Sequence, residues 1–125
     1  MPPRSATPPT LIHAVAIENH GPWPADKAGA HGKQFSAYLR LVAKGDAMLA
    51  RLVDEMAALL RPAILVFYGD HRPSIPGAAE PGGDRDTPYV LLSYTADGTI
   101  IPGTGNPHDL TPAQLHHALL AAITA

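Results

Sequence analysis

Apolar residues in this chain fall into two kinds of run, unbroken and periodic, and each kind predicts a different element. Ala63 to Tyr68 (AILVFY) is six apolar or aromatic residues in succession between Pro62 and Gly69. Such a run predicts a strand covered on both faces, the usual state of a parallel strand inside an α/β sheet. Leu11 to Glu18 (LIHAVAIE), with β-branched Ile12, Val15 and Ile17, reads as a second buried strand. Pro88 to Tyr94 (PYVLLSY) reads as a third. Asp97-Gly98 signals a turn, after which Ile100 and Ile101 predict a short pairing that Pro102-Gly103 ends. From Gln34 to Leu60 the pattern changes: Phe35, Tyr38, Leu39, Val42, Leu49, Leu52, Val53, Met56 and Leu60 recur at threes and fours. That period predicts an amphipathic helix of about 27 residues, some 40 Å long, in which Gly45 costs about 1 kcal/mol relative to alanine. Thr111-Pro112-Ala113-Gln114 predicts a helix start with a threonine cap, proline at the first helical position and glutamine closing a capping box. The helix continues to about Ile123, with Leu115, Leu119, Leu120 and Ile123 facing inward.

Strand, helix and strand in that order imply a right-handed parallel crossover from Leu11 to Tyr68. The expected fold is α/β: a mostly parallel sheet of three to four strands under one long amphipathic helix and a capped C-terminal helix. Met1 to Thr10 holds four of the 14 prolines and reads as a disordered Pro-rich tail, leaving 11–125 as the folded part. Pro76 to Asp86 has the glycine and proline density of a mobile surface loop.

With 125 residues and 46% hydrophobic content, the chain can bury one core. A net charge of -2 gives no reason to expect nucleic acid or an anionic membrane as partner. Without cysteine there is no disulfide, thiolate metal site or cysteine nucleophile. No apolar run approaches the roughly 20 residues of a membrane span, and Met1-Pro-Pro-Arg lacks the apolar core of a signal peptide. The sequence therefore carries no export signal and leaves its location unknown.

Chemistry concentrates where strands end. Asp70 and His71 follow the unbroken strand, and His20 follows Leu11 to Glu18, so both histidines stand at the same edge of the expected sheet. In open α/β sheets that edge is where ligands bind. Gly69 permits backbone angles that bring Asp70 and His71 round to one site, although the plain reading is that the pair begins a turn. A carboxylate oxygen with an imidazole nitrogen is a ligand pair that zinc or manganese accepts. His13 lies within a strand run and His116-His117 on the last helix, where packed or solvated side chains are the simpler reading. His31 and His108, in glycine- or proline-flanked loops, carry no specific reading.

Glu18-Asn19-His20-Gly21-Pro22-Trp23, a long helix, Tyr68-Gly69-Asp70-His71 and Thr87-Pro88-Tyr89-Val90 together resemble, in order and spacing, the carboxyl-terminal half of sulfatase-like enzymes of the alkaline phosphatase superfamily. The similar branches are lipoteichoic acid synthases, phosphoethanolamine transferases and sulfatase-like proteins of capsular polysaccharide clusters. The resemblance implies a partial alkaline-phosphatase-like fold acting on phosphate or sulfate esters. It implies Asp70 and His71 as ligands of a catalytic zinc or manganese, and His20 as a catalytic residue contacting the transferred group or a second metal. Arg85 stands where the phosphoethanolamine transferases carry a further histidine. A guanidinium binds phosphate or sulfate oxygens bidentately and binds no metal, so Arg85 reads as substrate-binding.

The family's nucleophile and another metal-binding acid lie upstream of the part this chain resembles, and full-length members are membrane-anchored with the catalytic domain outside the cytoplasm. Thr7 and Thr10 lie in a Pro-rich stretch rather than at a helix N-terminus that activates a hydroxyl. The expectation is a metal-binding half that is inactive alone and needs an amino-terminal half to act on an ester. The alternative is a non-catalytic α/β interaction module that pairs, with itself or another chain, through an exposed sheet edge.

Overall fold

The computed structural model describes residues 9–23, 31–75, 77–79, 82–83, 85–103 and 107–124. The Pro-rich tail, the loop after Trp23 and part of the 76–86 loop fall largely outside the described residues. Four elements follow in order: α1 (His31–Ala58), β1 (Ala63–Tyr68), β2 (Tyr89–Tyr94) and α2 (Pro112–Thr124).

Helix α1 begins three residues before the periodic run and ends two residues before its end. Leu59 and Leu60 still donate backbone hydrogen bonds to Met56 and Ala57, but Leu60 turns left-handed at φ 47° and Pro62 prevents resumption. The sheet is where expectation and structure part. β1 and β2 pair antiparallel, Ala63 opposite Tyr94 through Tyr68 opposite Tyr89, and together they form a two-stranded sheet. Ile100 adds an antiparallel bridge to Tyr94, and Ile101 N–H donates to Ser93 O, which is the short pairing expected there.

Leu11 to Glu18 forms no strand: it has no regular structure, and Leu11, Ile12, Val15 and Ile17 are 72–84% exposed. The parallel three- to four-stranded sheet and its βαβ crossover are therefore absent among the described residues. The physical reason is pairing. A strand exists through its neighbour's N–H and C=O groups, and the apolar composition of Leu11 to Glu18 supplies none of these.

The same shortage shows in the core. Among the described residues only Ala37, Ile75 and Tyr94 are buried. Tyr38, Leu41, Leu49, Val53 and Met56 of α1 are half-buried, while Phe35, Leu39, Met48 and Leu52, flanking that stripe, are 38–47% exposed. An apolar arc this wide exceeds what two strands cover. On α2, Leu115 and Leu119 turn inward as expected, whereas Leu120 and Ile123 are exposed.

Local chemistry behaves as written in the sequence. Thr111 N–H donates to Gln114 Oε1 (2.8 Å) and Gln114 N–H to Thr111 Oγ1 (3.3 Å), a closed capping box at the start of α2. Between Thr95 and Thr99 a tight turn reverses the chain: Thr95 N–H donates to Thr99 O, Gly98 N–H to Thr95 O, and the Thr95 hydroxyl donates to the Asp97 carboxylate. Gly98 sits at φ 82°, and the position a Cβ would take falls on Ala57 O at the end of α1. A side chain there meets both backbone strain and a carbonyl.

Candidate functional site

At the opposite end of the hairpin, the β1–β2 ladder runs one step beyond the strands. Gly69 N–H donates to Pro88 O at 3.1 Å, and the Thr87 hydroxyl donates to Gly69 O at 2.6 Å. Gly69 has no positive φ, so the left-handed freedom expected of it is unused. Thr87 lies against it: an added Cβ would stand 3.1 Å from Thr87 Cβ.

Asp70 and His71 follow in a bend, both exposed. His71 N–H donates to Asp70 Oδ1 (2.9 Å), and His71 Nε2 lies 3.5 Å from Asp70 Oδ2. His71 Nδ1 is 3.1 Å from Arg72 O. A carbonyl only accepts, so Nδ1 donates to it, and Nε2 faces the carboxylate oxygen across 3.5 Å. Two ligands of one tetrahedral zinc stand about 3.3 Å apart, given bonds near 2.0 Å.

His20 arrives by another route. His20 N–H donates to Ile17 O (3.0 Å), closing a turn before the cis Gly21-Pro22 bond. That turn docks on α1 rather than on a sheet. Asn19 Nδ2 lies 3.3 Å from where a Cβ of Gly45 would stand, Lys44 Nζ pairs with Glu18 Oε1 at 3.2 Å, and the Trp23 ring meets Tyr38 edge-on at 5.5 Å. The His20 ring stands edge-on to that of His71, centroids 5.7 Å apart. His20 Nδ1 is 2.7 Å from Gly21 O, which accepts from it.

The structure thus gathers His20, Asp70 and His71. Arg85 is exposed, with no hydrogen bond or ion pair to a described residue. No group of three or more histidine and acidic side chains is arranged to hold a metal among the described residues. Asp70 Oδ2 and His71 Nε2 have the separation and the chemistry of two ligands from a larger metal shell, and the described residues supply no third.

Two features escaped the sequence reading. Thr87 opens the Thr87-Pro88-Tyr89-Val90 segment that carries the resemblance, but nothing in the sequence says that its hydroxyl reaches Gly69. Gly45 did carry a signal, because a glycine inside a helix marks a close approach, here by Asn19.

No helix among the described residues is long and apolar enough to cross a membrane. The chain matches the capsular polysaccharide biosynthesis protein RkpI of Rhizobium meliloti (strain 1021), at 36% identity over 82 residues. The matched stretch is 66% of this chain and 15% of that relative, so the chain spans a small part of the relative's length. No solved structure matches it. The family model for sulfatases matches residues 4–120, nearly the whole chain. With its Gly-Asp-His bend at the end of β1 and His20 set beside it, this chain belongs to the sulfatase family.

Proposed function

We propose that this chain is the metal-binding, carboxyl-terminal portion of a sulfatase-like phosphoryl or sulfuryl transferase or hydrolase, inactive until an amino-terminal half supplies the nucleophile and further ligands. The observation that carries the reading is the 3.5 Å approach of His71 Nε2 to Asp70 Oδ2 beside the His20 ring, in a chain of this family. Asp70 and His71 would hold the divalent cation, zinc or manganese, and with it bound the site would have a Lewis acid for phosphoryl or sulfuryl oxygens and for an attacking hydroxyl. His20 offers Nε2 to the ester oxygens, donating a hydrogen bond when protonated. Arg85 supplies a guanidinium for a sulfate or phosphate oxygen of the substrate.

The partner is a sheet-bearing unit. Leu11 to Ile17 is strand-like in composition yet 72–84% exposed at its large apolar residues, the state of a strand whose neighbours come from elsewhere. That observation also favours the second reading, a non-catalytic module that pairs through the same segment.

Titration calorimetry of the whole chain with zinc or manganese separates the two. One weak binding event is expected, because two protein ligands fall short of the three or four of tight sites. Affinity unchanged in the Asp70→Ala, His71→Ala double variant overturns the metal assignment. Aryl phosphate and aryl sulfate assays should show no turnover. Metal-dependent turnover by a monodisperse monomer, abolished by His20→Ala, would show that the chain needs no other half.

A further inference from the structure

We propose that Thr87 is a positioning residue for the Asp70-His71 pair, acting through the Gly69 peptide. The inference rests on the functional reading above for its metal arm and on geometry alone for the rest.

β1 ends at Tyr68, and two residues later the chain must present a carboxylate and an imidazole at ligand spacing while both remain exposed. Exposed side chains receive little from packing, so their placement comes from the backbone beneath them. Gly69 is that backbone, and both of its polar groups are held by the strand opposite: its N–H by Pro88 O at 3.1 Å, its C=O by the Thr87 hydroxyl at 2.6 Å. The two bonds differ in kind. The first continues the ladder in the ordinary way, whereas a threonine side chain bonding the carbonyl is an addition that pairing does not require. Proline explains why a side chain is needed. Pro88 has no N–H to return to Gly69 O, so at this step the ladder lacks its reciprocal donor. The Thr87 hydroxyl takes that place.

Contact reinforces the bond. Thr87 lies against Gly69 so closely that a Cβ on Gly69 would meet Thr87 Cβ at 3.1 Å and Cγ2 at 3.5 Å. The peptide after Gly69 is thus held by a hydrogen bond on its carbonyl, with the Thr87 side chain filling the space a Cβ on Gly69 would need. Asp70 N is part of that peptide, and His71 hangs from it through the 2.9 Å bond of its N–H to Asp70 Oδ1. A rotation of the Gly69–Asp70 peptide swings both ligands at once and changes the 3.5 Å gap between them.

Thr87→Val keeps the shape and removes the hydroxyl, while Thr87→Ser restores it. In the whole chain, nitrogen-15 NMR of Thr87→Val is expected to show the Asp70 and His71 amides shifted and exchanging several-fold faster, with Val66 and Leu91 unmoved. Thr87→Ser should return both amides toward the parent. Zinc affinity should fall about tenfold in the valine variant and recover in the serine variant, the scale of losing a hydrogen bond behind a metal ligand. Unchanged Asp70 and His71 amides, a uniform change along β1 and β2, or a serine variant no better than valine each overturns the proposal. If the parent chain binds no zinc, the metal reading fails, and the amide pattern alone decides for or against Thr87. If the valine variant does not fold, Gly69→Ala displaces Thr87 from the other side and must produce the same local pattern, or the proposal falls.

Discussion

The two ends of the β1–β2 hairpin are built from the same strands and held in opposite ways. At the end near Tyr94 everything is closed. Tyr94 is 2% exposed, its hydroxyl points to Val53 O across a long 3.4 Å, and the Thr95–Thr99 turn is cross-linked by Asp97 and seated on the last turn of α1 at Gly98. At the end near Tyr68 the strand releases an acid and a histidine into solvent, tied down by one ladder bond and one threonine hydroxyl. Burial is concentrated at one end and exposed polar side chains at the other. The lesson is that exposed side chains draw their order from the backbone behind them, and that this backbone draws its own from an anchored far end.

The largest test of that contrast is a pair of glycines. Gly98→Ala places a Cβ on Ala57 O with a positive φ, and should cost about 3 kcal/mol in urea or thermal unfolding. Next in size is Gly69→Ala, whose Cβ requires only that Thr87 give by a few tenths of an ångström. It should cost about 1 kcal/mol while weakening zinc binding more than its stability change explains. Equal stability losses, with metal affinity following stability, would erase the difference between the ends.

Titration sharpens the comparison further. The Tyr94 phenol is pushed above its ordinary value of 10.0 by burial and, second, by the Asp54 carboxylate. Its neutral form is favoured in the native state, so its contribution is complete below pH 10 and is lost as pH rises through the raised native value. Stability should therefore decline above about pH 10, and Tyr94→Phe should flatten that decline in pH-resolved unfolding. The smallest effect is at Asp97, whose carboxyl is held below its ordinary 3.8 by the Thr95 hydroxyl and then by the Thr99 amide and hydroxyl. Its contribution is present above pH 3.8 and disappears as pH falls through the depressed native value. Asp97→Ala should flatten the acid limb, and an acid limb unchanged by that variant would remove Asp97 from the closed end's account.

What the sequence made legible follows the range of the forces involved. The capping box of α2, the Asp97-Gly98 turn and the 3.6-residue period of α1 are set by neighbours within a few residues, and they appear as read. Ala63 to Tyr68 is a strand because it has β2 beside it. The unbroken apolar run gave its extent but not its direction, since an apolar residue packs equally well in a parallel or an antiparallel sheet. Leu11 to Glu18 shows the limit of pattern: the composition is that of a strand, and the partner that would make it one is not in the described structure. At the site, Asp70, His71 and His20 stood out as candidates because an acid and histidines after strand-like runs are distinctive chemistry, and the structure sets the His20 ring beside that of His71. The contacts of Thr87 and Asn19, both within the quoted motifs, were not legible, because a hydroxyl or an amide declares its role only through what it touches.

His20 depends on α1 in a way that brings the surrounding solution into the site. The segment that carries it is placed by the Asn19 approach at Gly45, by the Trp23 ring on Tyr38 and by the Glu18–Lys44 pair at 3.2 Å, whose side chains are 59% and 66% exposed. A pair so accessible contributes little in isolation and is weakened by dissolved ions, whose screening length is about 10 Å at 0.1 M and about 3 Å at 1 M. The hydrogen bonds at Gly69 involve no charge and do not share that sensitivity. Rising ionic strength therefore acts unevenly on the cluster: it loosens the strap that delivers one histidine and leaves the other seated at its strand end.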